Sequence, residues 1–251
     1  MAWKFGARNP GPEPDPVELR VREQLATNKS TPLETLDELS SDPDHGVRMR
    51  VAANPSTPAR RLSELSTDGD LNVRWAVARN LSTPVDALHK LSADADADVR
   101  QGVAGNGSAS ASTLRELCTD PDDRVRLYVA ANWSTPVETL ERLRTDRDDK
   151  VRCAVVRNTP RRSWLTRLSA DPSAKVRSQV ASCLRREEED LLVRLSADPS
   201  AEVRCSVASN WSTPVETLKK LNTDPDREVY SAAYRSAQGL GVSVQNWQFW
   251  Q

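Results

Sequence analysis

Apolar residues recur along this chain at an almost constant interval. The clearest marker is a valine that is followed by arginine or, in the last copy, by tyrosine, and successive copies lie 25 to 27 residues apart. The marker valines are Val47, Val73, Val99, Val125, Val151, Val176, Val203 and Val229. A fixed period of this length is typical of one supersecondary unit stacked on copies of itself. The pattern therefore predicts a solenoid of about eight repeats of about 26 residues.

The first half of each repeat is predicted to form a short helix with a leucine face. Two leucines three positions apart recur in every copy, as in Leu140 and Leu143. A Thr-Pro pair precedes them in the best copies. We expect Thr135 to cap this helix and Pro136 to fill its first position, where the missing N–H costs nothing. Glu138 would then complete a capping box with Thr135.

The second half of each repeat is predicted to form a helix with a valine face. The marker valine and the apolar residue four positions later, such as Val151 and Val155, share one side of a helix. An aspartate precedes them in all eight copies, and we expect it to cap the helix, as at Asp146. An asparagine follows in six copies and is expected to end the helix in the left-handed conformation, as at Asn158. Both helices are short enough to tighten partly into 3-10 turns.

These elements predict an all-α chain with three parts. Residues 1–19 form a flexible proline-rich segment, residues 20–236 form the repeat solenoid, and residues 237–251 form an aromatic tail. A single layer of two short helices cannot bury its own apolar face, so we expect stability to come from stacking on neighbouring layers.

The repeat closely resembles the bacterial variant leucine-rich repeat family. The resemblance lies in the pattern Val-Arg-x-x-Val-Ala-x-Asn, then x-Ser-Thr-Pro, Leu-x-x-Leu and Asp-Pro, which is clear over residues 125–146 and 203–224. More distantly, the chain is similar to HEAT-type helical arrays. The resemblance implies a right-handed superhelix of alternating α and 3-10 helices. A member of that family also has an N-terminal cysteine cluster that binds iron–sulfur, but residues 1–117 here contain no cysteine. We therefore expect no cofactor.

The amino-acid composition limits which kinds of partner and which cellular compartment are expected. The 35 basic and 36 acidic residues give a net charge of −1, so no global field favours nucleic acid or an anionic membrane. No run of 18 apolar residues is present to span a bilayer. The N-terminus lacks the apolar core of a signal peptide, so we expect a cytoplasmic protein. The four cysteines are far apart in the repeat and are expected to be reduced.

Aspartate and arginine also recur in step, six residues apart, as at Asp146 and Arg152. One interpretation is a ribbon that binds phosphate. The other is structural: each aspartate caps a helix and pairs with an arginine of its own or an adjacent layer. We favour the second because residues that stacking requires must recur in every layer. Eight equivalent carboxylates also cannot define one catalytic pair.

Binding residues are expected where the repeat varies and faces solvent. Positions two and six after the marker valine point away from the valine face, and they carry apolar residues edged by arginine. Tyr128 is a large residue at a position where other copies have alanine. The predicted partner-binding residues are Met49, Trp75, Arg79, Gln101, Leu127, Tyr128 and Arg157. Tryptophan, methionine and arginine are enriched at interfaces. The alternative is that these side chains add packing between layers.

Several aromatic residues lie outside this strip. Trp133 and Trp211 each follow a closing asparagine and are expected to act as hydrophobic staples for the next helix. Three aromatics lie in the uncharged C-terminal tail, which is expected either to cap the last layer or to dock into another protein. They are Trp247, Phe249 and Trp250.

These features predict a non-catalytic scaffold that binds a protein or peptide along one helical face. Neither histidine has a ligand partner at metal spacing, and no phosphate loop or nucleophile elbow occurs, so we expect no enzyme activity, catalytic residue or metal. Two alternatives stay open: a nucleic-acid-binding or HEAT-like base-excision protein, and an accessory subunit of a modification or defence system that docks through its tail. We expect a monomer that contacts neither nucleic acid nor membrane.

Overall fold

The computed structural model describes residues 16–158 and 161–241, and all regular elements in these ranges are helical. The chain divides into two compact units, one up to Ser110 and one from Ala111. The first unit contains α1 (Pro16–Thr27), α2 (Leu33–Leu39), α3 (His45–Ala53), α4 (Ala59–Leu65), α5 (Leu71–Arg79), α6 (Val85–Leu91) and α7 (Ala97–Gly105). The second contains α8 (Ala111–Leu117), α9 (Asp123–Ala131), α10 (Val137–Leu143), α11 (Asp149–Asn158), α12 (Arg162–Leu168), α13 (Ala174–Cys183), a 3-10 turn (Arg186–Glu188), α14 (Glu189–Leu195), α15 (Ala201–Ser209), α16 (Val215–Leu221) and α17 (Arg227–Gly239).

Long and short helices alternate, and within each unit every long helix packs on the next long helix. The odd-numbered helices are the long ones, and the seven-residue even-numbered helices join them. The valines of the long helices and the leucines of the short helices are buried, as at Val77 and Leu88. The prediction of an all-α solenoid is confirmed. Helix α1 begins at Pro16, inside the predicted N-terminal segment, and α17 runs to Gly239, past the predicted end of the repeats.

Helix α1 is a further copy of the repeat that the count of eight omits. Val21 and Arg22 lie 26 residues before Val47 and Arg48, and Arg22 Nε is 3.0 Å from Asp42 Oδ2. Val21 is exposed, and no described layer precedes α1 to cover it. The spacing alone identifies this copy.

Arginine and aspartate join successive layers. Arg48 donates from Nε and Nη2 to both carboxylate oxygens of Asp68, at 2.7 and 3.0 Å, and from Nη1 to the Asp42 carbonyl of its own layer. The pairing expected for this series of aspartates and arginines, which we call the ladder, is thus confirmed, and Arg48 pairs with the following layer. The same bidentate pairs are Arg74–Asp94, Arg126–Asp146, Arg152–Asp171, Arg177–Asp198 and Arg204–Asp224.

The prediction that these aspartates cap the long helices is wrong. Asp68 Oδ1 accepts from the Asp70 N–H at 2.8 Å and so closes a turn before the helix. Asp70 is the residue that caps α5, because its Oδ1 accepts from the Asn72 N–H. The ladder carboxylate is committed to the turn and to the arginine of the preceding layer. A second polar residue two positions later therefore begins the helix.

The asparagines are not left-handed caps, contrary to the prediction. Asn80 is extended, with φ −73° and ψ 123°, and no non-glycine residue in the described ranges has positive φ. Its Nδ2 donates to the carbonyls of Ala52 and Asn54 in the preceding layer, at 2.8 and 3.0 Å. Its Oδ1 accepts from the Ser82 N–H. Nδ2 bonds of the same kind are made by Asn54, Asn106, Asn158 and Asn210.

The threonines before proline also have a different role from the one predicted. Thr135 Oγ1 donates to the Val129 carbonyl in the last turn of α9, at 2.6 Å. Helix α10 starts after Pro136 without a side-chain cap, so no capping box with Glu138 forms. The hydroxyl is already used by a carbonyl that a helix end leaves unpaired. Thr31, Thr57, Thr83 and Thr213 bond the preceding helix in the same way.

The short helices are α-helical and not the 3-10 helices implied by the family resemblance. In α10 the Leu140 N–H donates to the Pro136 carbonyl, an i to i−4 bond. The Thr139 N–H donates to the same carbonyl, so the first turn is tightened. In the described residues a separate 3-10 turn occurs at Arg186–Glu188, where the Ser-Thr-Pro sequence is missing.

Helices α5 and α7 approach each other closely at Gly102. A methyl group placed on Gly102 would lie 2.9 Å from Ala78 Cβ and 3.4 Å from Arg79 Cγ. The added methyl carbon and Ala78 Cβ are each bonded directly to a helix backbone, so neither can move aside by rotating a side chain. Any side chain at position 102 must therefore separate the two helices.

Replacing a bridging asparagine should weaken the stack strongly. Asn80→Ala removes the two hydrogen bonds to the preceding layer and the one from the Ser82 N–H, so we expect a loss of roughly 2 to 4 kcal/mol in unfolding free energy. The matched control is Asn28→Ala: Asn28 Oδ1 makes the same turn with the Ser30 N–H, but no described layer precedes it. Urea unfolding followed by circular dichroism measures both variants. Equal losses in the two would contradict the bridging role.

The ladder aspartates should make stability fall in acid. Burial alone raises the pKa of Asp94, but the hydrogen bonds from Arg74 and the Asp96 N–H outweigh it and hold that pKa below its usual range. Since the unfolded carboxyl has its ordinary pKa of about 3.9, this stabilisation is complete above about pH 4 and is lost as the pH falls further. Asp94→Asn should therefore lose less stability than wild type between pH 5 and pH 3 in urea titrations. Asp86→Asn, on the exposed side of α6, should follow wild type. Parallel losses in wild type and Asp94→Asn would refute this.

Gly102→Ala should be destabilising although alanine favours helices. Overpacking typically costs about 1 to 3 kcal/mol, against a propensity gain of about 1 kcal/mol. We expect a net decrease in thermal midpoint, measured by calorimetry. Gly69→Ala is the control, because nothing lies within 4 Å of its added methyl group. A Gly102→Ala midpoint at or above wild type would show that the two helices separate without cost.

Candidate binding surface

The exposed sides of the long helices carry the predicted binding residues. In the first unit, Trp75 is 36% exposed and the Arg79 guanidinium carbon lies 4.9 Å from the centre of its ring. The two side chains meet because they are four positions apart on α5. Met49 on α3 and Gln101 on α7 are half-buried. The structure thus brings Trp75 and Arg79 together as a cation–π pair.

In the second unit, equivalent positions of successive long helices line one groove of about 400 Å³. Leu127, Cys153 and Ser178 each lie two positions after a marker valine, on α9, α11 and α13. The predicted residue Arg157 joins them. The other lining residues are Asp149, Lys150, Lys175, Gln179 and Glu202. We refer to this set of nine residues as the long-helix groove.

Of the charged residues of the groove only Arg157 was predicted, although the sequence carries a signal for three of the others. Lys150, Lys175 and Glu202 each stand directly before a marker valine, so they occupy one repeat position that varies in charge. Except for Tyr128, the predicted binding residues lie two or six positions after a marker valine. A helix turns 100° per residue, and the position before the valine borders the same exposed face.

The chemistry of the long-helix groove suits contact with another molecule. Leu127 and Cys153 give it apolar surface, and both signs of charge lie around them. Burial, and next the nearby Asp149 carboxylate, raise the pKa of the Cys153 thiol, which keeps it protonated at neutral pH. Asp149 Oδ2 accepts from the Ser173 hydroxyl at 2.9 Å. The apolar groups can pack against another molecule, and the charged groups can form ion pairs with it.

Other predicted aromatic residues lie elsewhere. Tyr128 is 39% exposed on α9 and is not among the residues that line the long-helix groove. Trp133 and Trp211 are 85% and 74% exposed, so the prediction that they staple the next helix is wrong. The asparagine before each holds the turn through its Oδ1, and the tryptophan projects outward. Trp247, Phe249 and Trp250 lie outside the described residues.

Three further observations bear on the kinds of site present. In residues 16–158 and 161–241, no three His, Cys, Asp or Glu side chains are grouped so as to hold a metal ion. No described helix combines the length and apolar character needed to cross a bilayer. All four cysteines are free thiols, and Cys118 is buried.

Comparisons with known proteins agree with the repeat and its stacking. The model of the leucine rich repeat variant family matches residues 19–44 and 123–148. A solved structure described as a leucine-rich repeat variant with a novel repetitive protein structural motif is 30% identical, with 86% of each chain covered and a TM-score of 0.65. A designed armadillo repeat protein in complex with the peptide (KR)4 is 18% identical over 88% of this chain and 91% of that one, but its TM-score of 0.29 supports no argument. The comparison with curated proteins gives no match.

The sequence identity and coverage of the solved variant repeat are sufficient to establish kinship. The Val-Arg, Asn and Ser-Thr-Pro positions of this chain account for the layers described above. The chain belongs to the leucine-rich repeat variant family and is a helical repeat scaffold.

Proposed function

We propose that this scaffold is non-catalytic and binds a protein or peptide along the exposed face of its long helices. The observation that carries the proposal is the long-helix groove, where Leu127, Cys153 and Ser178 occupy the same repeat position in three successive helices. Stacking fixes the valine, arginine, aspartate and asparagine of every layer. The residues at this position differ from layer to layer, so they are available for recognition.

The groove combines two properties of a peptide site. Leu127 and Cys153 supply apolar surface that loses water when covered, which favours affinity. Arg157 on one helix and Glu202 on another present opposite charges, which favours one register and direction of a bound chain. An extended segment crossing α9 to α15 would meet both kinds of group in turn.

The first unit offers the same face with a different anchor. The Trp75 ring is partly open to solvent, and Arg79 holds its guanidinium above it. Tryptophan and arginine are the residues most often found at the energetic centre of interfaces. A partner side chain that covers this pair would bury the ring with little loss of side-chain freedom, because the pair is already ordered.

Peptides selected from a displayed random library against the full chain test the proposal. For the strongest peptide, Arg157→Glu should weaken binding at least about tenfold, equivalent to about 1.4 kcal/mol, measured by fluorescence anisotropy. Leu127→Asp should do the same by making the apolar surface polar. Arg142→Glu, an equal charge reversal on the exposed side of the short helix α10, should leave binding unchanged.

The proposal fails if the selected peptides bind both groove variants as tightly as wild type. It also fails if selection against the wild-type chain enriches no peptide beyond those that a parallel selection enriches against the chain carrying both Leu127→Asp and Arg157→Glu. Far-ultraviolet circular dichroism confirms that each variant remains folded before binding is compared.

A further inference from the structure

Two arginines stand out of step with the repeat, and both belong to one layer. Arg144 and Arg147 flank the ladder residue Asp146. The position of Arg144 is filled in the other layers by Ser40, Ser66, Ser92, Cys118, Ser169, Ser196 and Asn222. The position of Arg147 is filled by Pro43, Gly69, Ala95, Pro121, Pro172, Pro199 and Pro225. Seven layers stack without arginine at either position, so neither arginine is required for stacking.

Arg144 also gives up an interaction that the other layers make. Ser66 and Ser169 each donate a hydroxyl to the carbonyl three residues earlier, at 2.6 and 2.7 Å, at the end of a short helix. Arg144 instead donates from its guanidinium to the Glu141 carboxylate at 2.8 Å. That carboxylate side chain is 44% exposed. Stacking of the layers therefore does not account for an arginine in place of the capping serine.

The structure brings both arginines to one cavity of about 490 Å³. Arg167, from the last turn of α12, and Arg152, from α11, point to the same cavity. We call these four residues the arginine cleft. The remaining lining residues are Thr145, Asp146, Leu168, Ala170, Asp171 and Pro172.

The two carboxylates of the cavity leave Arg147 and Arg167 without an ion pair. Asp146 is held by both nitrogens of Arg126, which lies outside the cleft, and Asp171 is held in the same way by Arg152. Arg147 and Arg167 form no ion pair with any described residue. Arg147 Nη2 donates one bond to the Pro121 carbonyl at 3.1 Å, which leaves its other donors for a ligand.

We propose that the arginine cleft binds a phosphate group, free or as a monoester on a side chain of a partner. The planar guanidinium fork matches two oxygens of a phosphate, and bonds between charged groups are the stronger kind. Because the neighbouring layers have Cys118 and Pro121 on one side and Ser169 and Pro172 on the other, the extra positive charge of Arg144 and Arg147 is confined to one layer. A nucleic acid backbone, which needs a continuous basic track, fits this arrangement poorly. The cleft shares no residue with the long-helix groove, so the two proposals stand or fall separately.

Isothermal titration of the full chain with three probes tests the cleft. The probes are a phosphoserine pentapeptide with flanking alanines, its unphosphorylated counterpart, and inorganic phosphate. We expect saturable binding of the phosphate-bearing probes and none of the unphosphorylated peptide. Binding of the peptide tighter than that of inorganic phosphate identifies a modified partner as the source, whereas equal binding identifies free phosphate. Both results support the site.

Substitutions by the residues that other layers carry give variants that should fold. The Arg144→Ser, Arg147→Pro double variant should weaken binding of phosphate-bearing probes at least about tenfold, the loss of about 1.4 kcal/mol expected for removed charge-assisted bonds. Arg167→Glu, which installs the residue found at positions 38, 64 and 116, should do the same. Arg115→Ser, on the exposed side of α8, removes an equal charge away from the cleft and should bind as wild type.

Three results would overturn the proposal. The first is unchanged binding in the double variant, and the second is absence of binding by any phosphate-bearing probe. The third is tighter binding of a single-stranded thymidine oligonucleotide than of the phosphopeptide, lost in the double variant, which would assign the cleft to nucleic acid.

Discussion

The side-chain amide of the asparagine that ends most of the long helices is the interaction on which the stack depends most. Helices of seven to ten residues are too short to be stable alone in water, so each layer must be held by its neighbours. The last carbonyls of a helix also need donors that the helix cannot supply. Asn80 meets both needs at once, because one Nδ2 bonds two carbonyls of the preceding layer and Oδ1 closes the next turn. An apolar residue there would pack but would remove the donor that both carbonyls share.

The arginine–aspartate pairs do the corresponding work near the start of the long helix. Arg48 joins the carbonyl of its own layer to the carboxylate of the following one, so it fixes the spacing and rotation of two layers together. With asparagine at one end and arginine at the other, the valine faces are held in register. The remaining positions are then free to vary, and they supply Leu127 and Arg157 of the long-helix groove and Arg144 and Arg147 of the arginine cleft.

The sequence predicted the solenoid and its helices well, because periodic apolar residues report directly on which face is buried. It predicted the polar roles poorly. Asn80, Asp68 and Thr83 were each expected to cap a nearby helix end, because local spacing favours that interpretation. Asn80 and Asp68 instead bond residues about one repeat away, and Thr83 bonds the preceding helix. Spacing within one repeat cannot show a partner in another layer. Of the residues that line the long-helix groove, Leu127 and Arg157 were among those predicted and Lys175 was not, because the position before the marker valine was not counted as part of the exposed face.

Hydrogen exchange of the asparagine side-chain amides, followed by NMR, measures the bridge between layers most directly. If the Nδ2 groups join neighbouring layers, the amide protons of Asn54, Asn80 and Asn210 should exchange at rates close to those of the buried backbone amides, while those of Asn28 exchange as fast as an exposed side chain. Exchange at the exposed rate for all four would contradict the central role given to these asparagines.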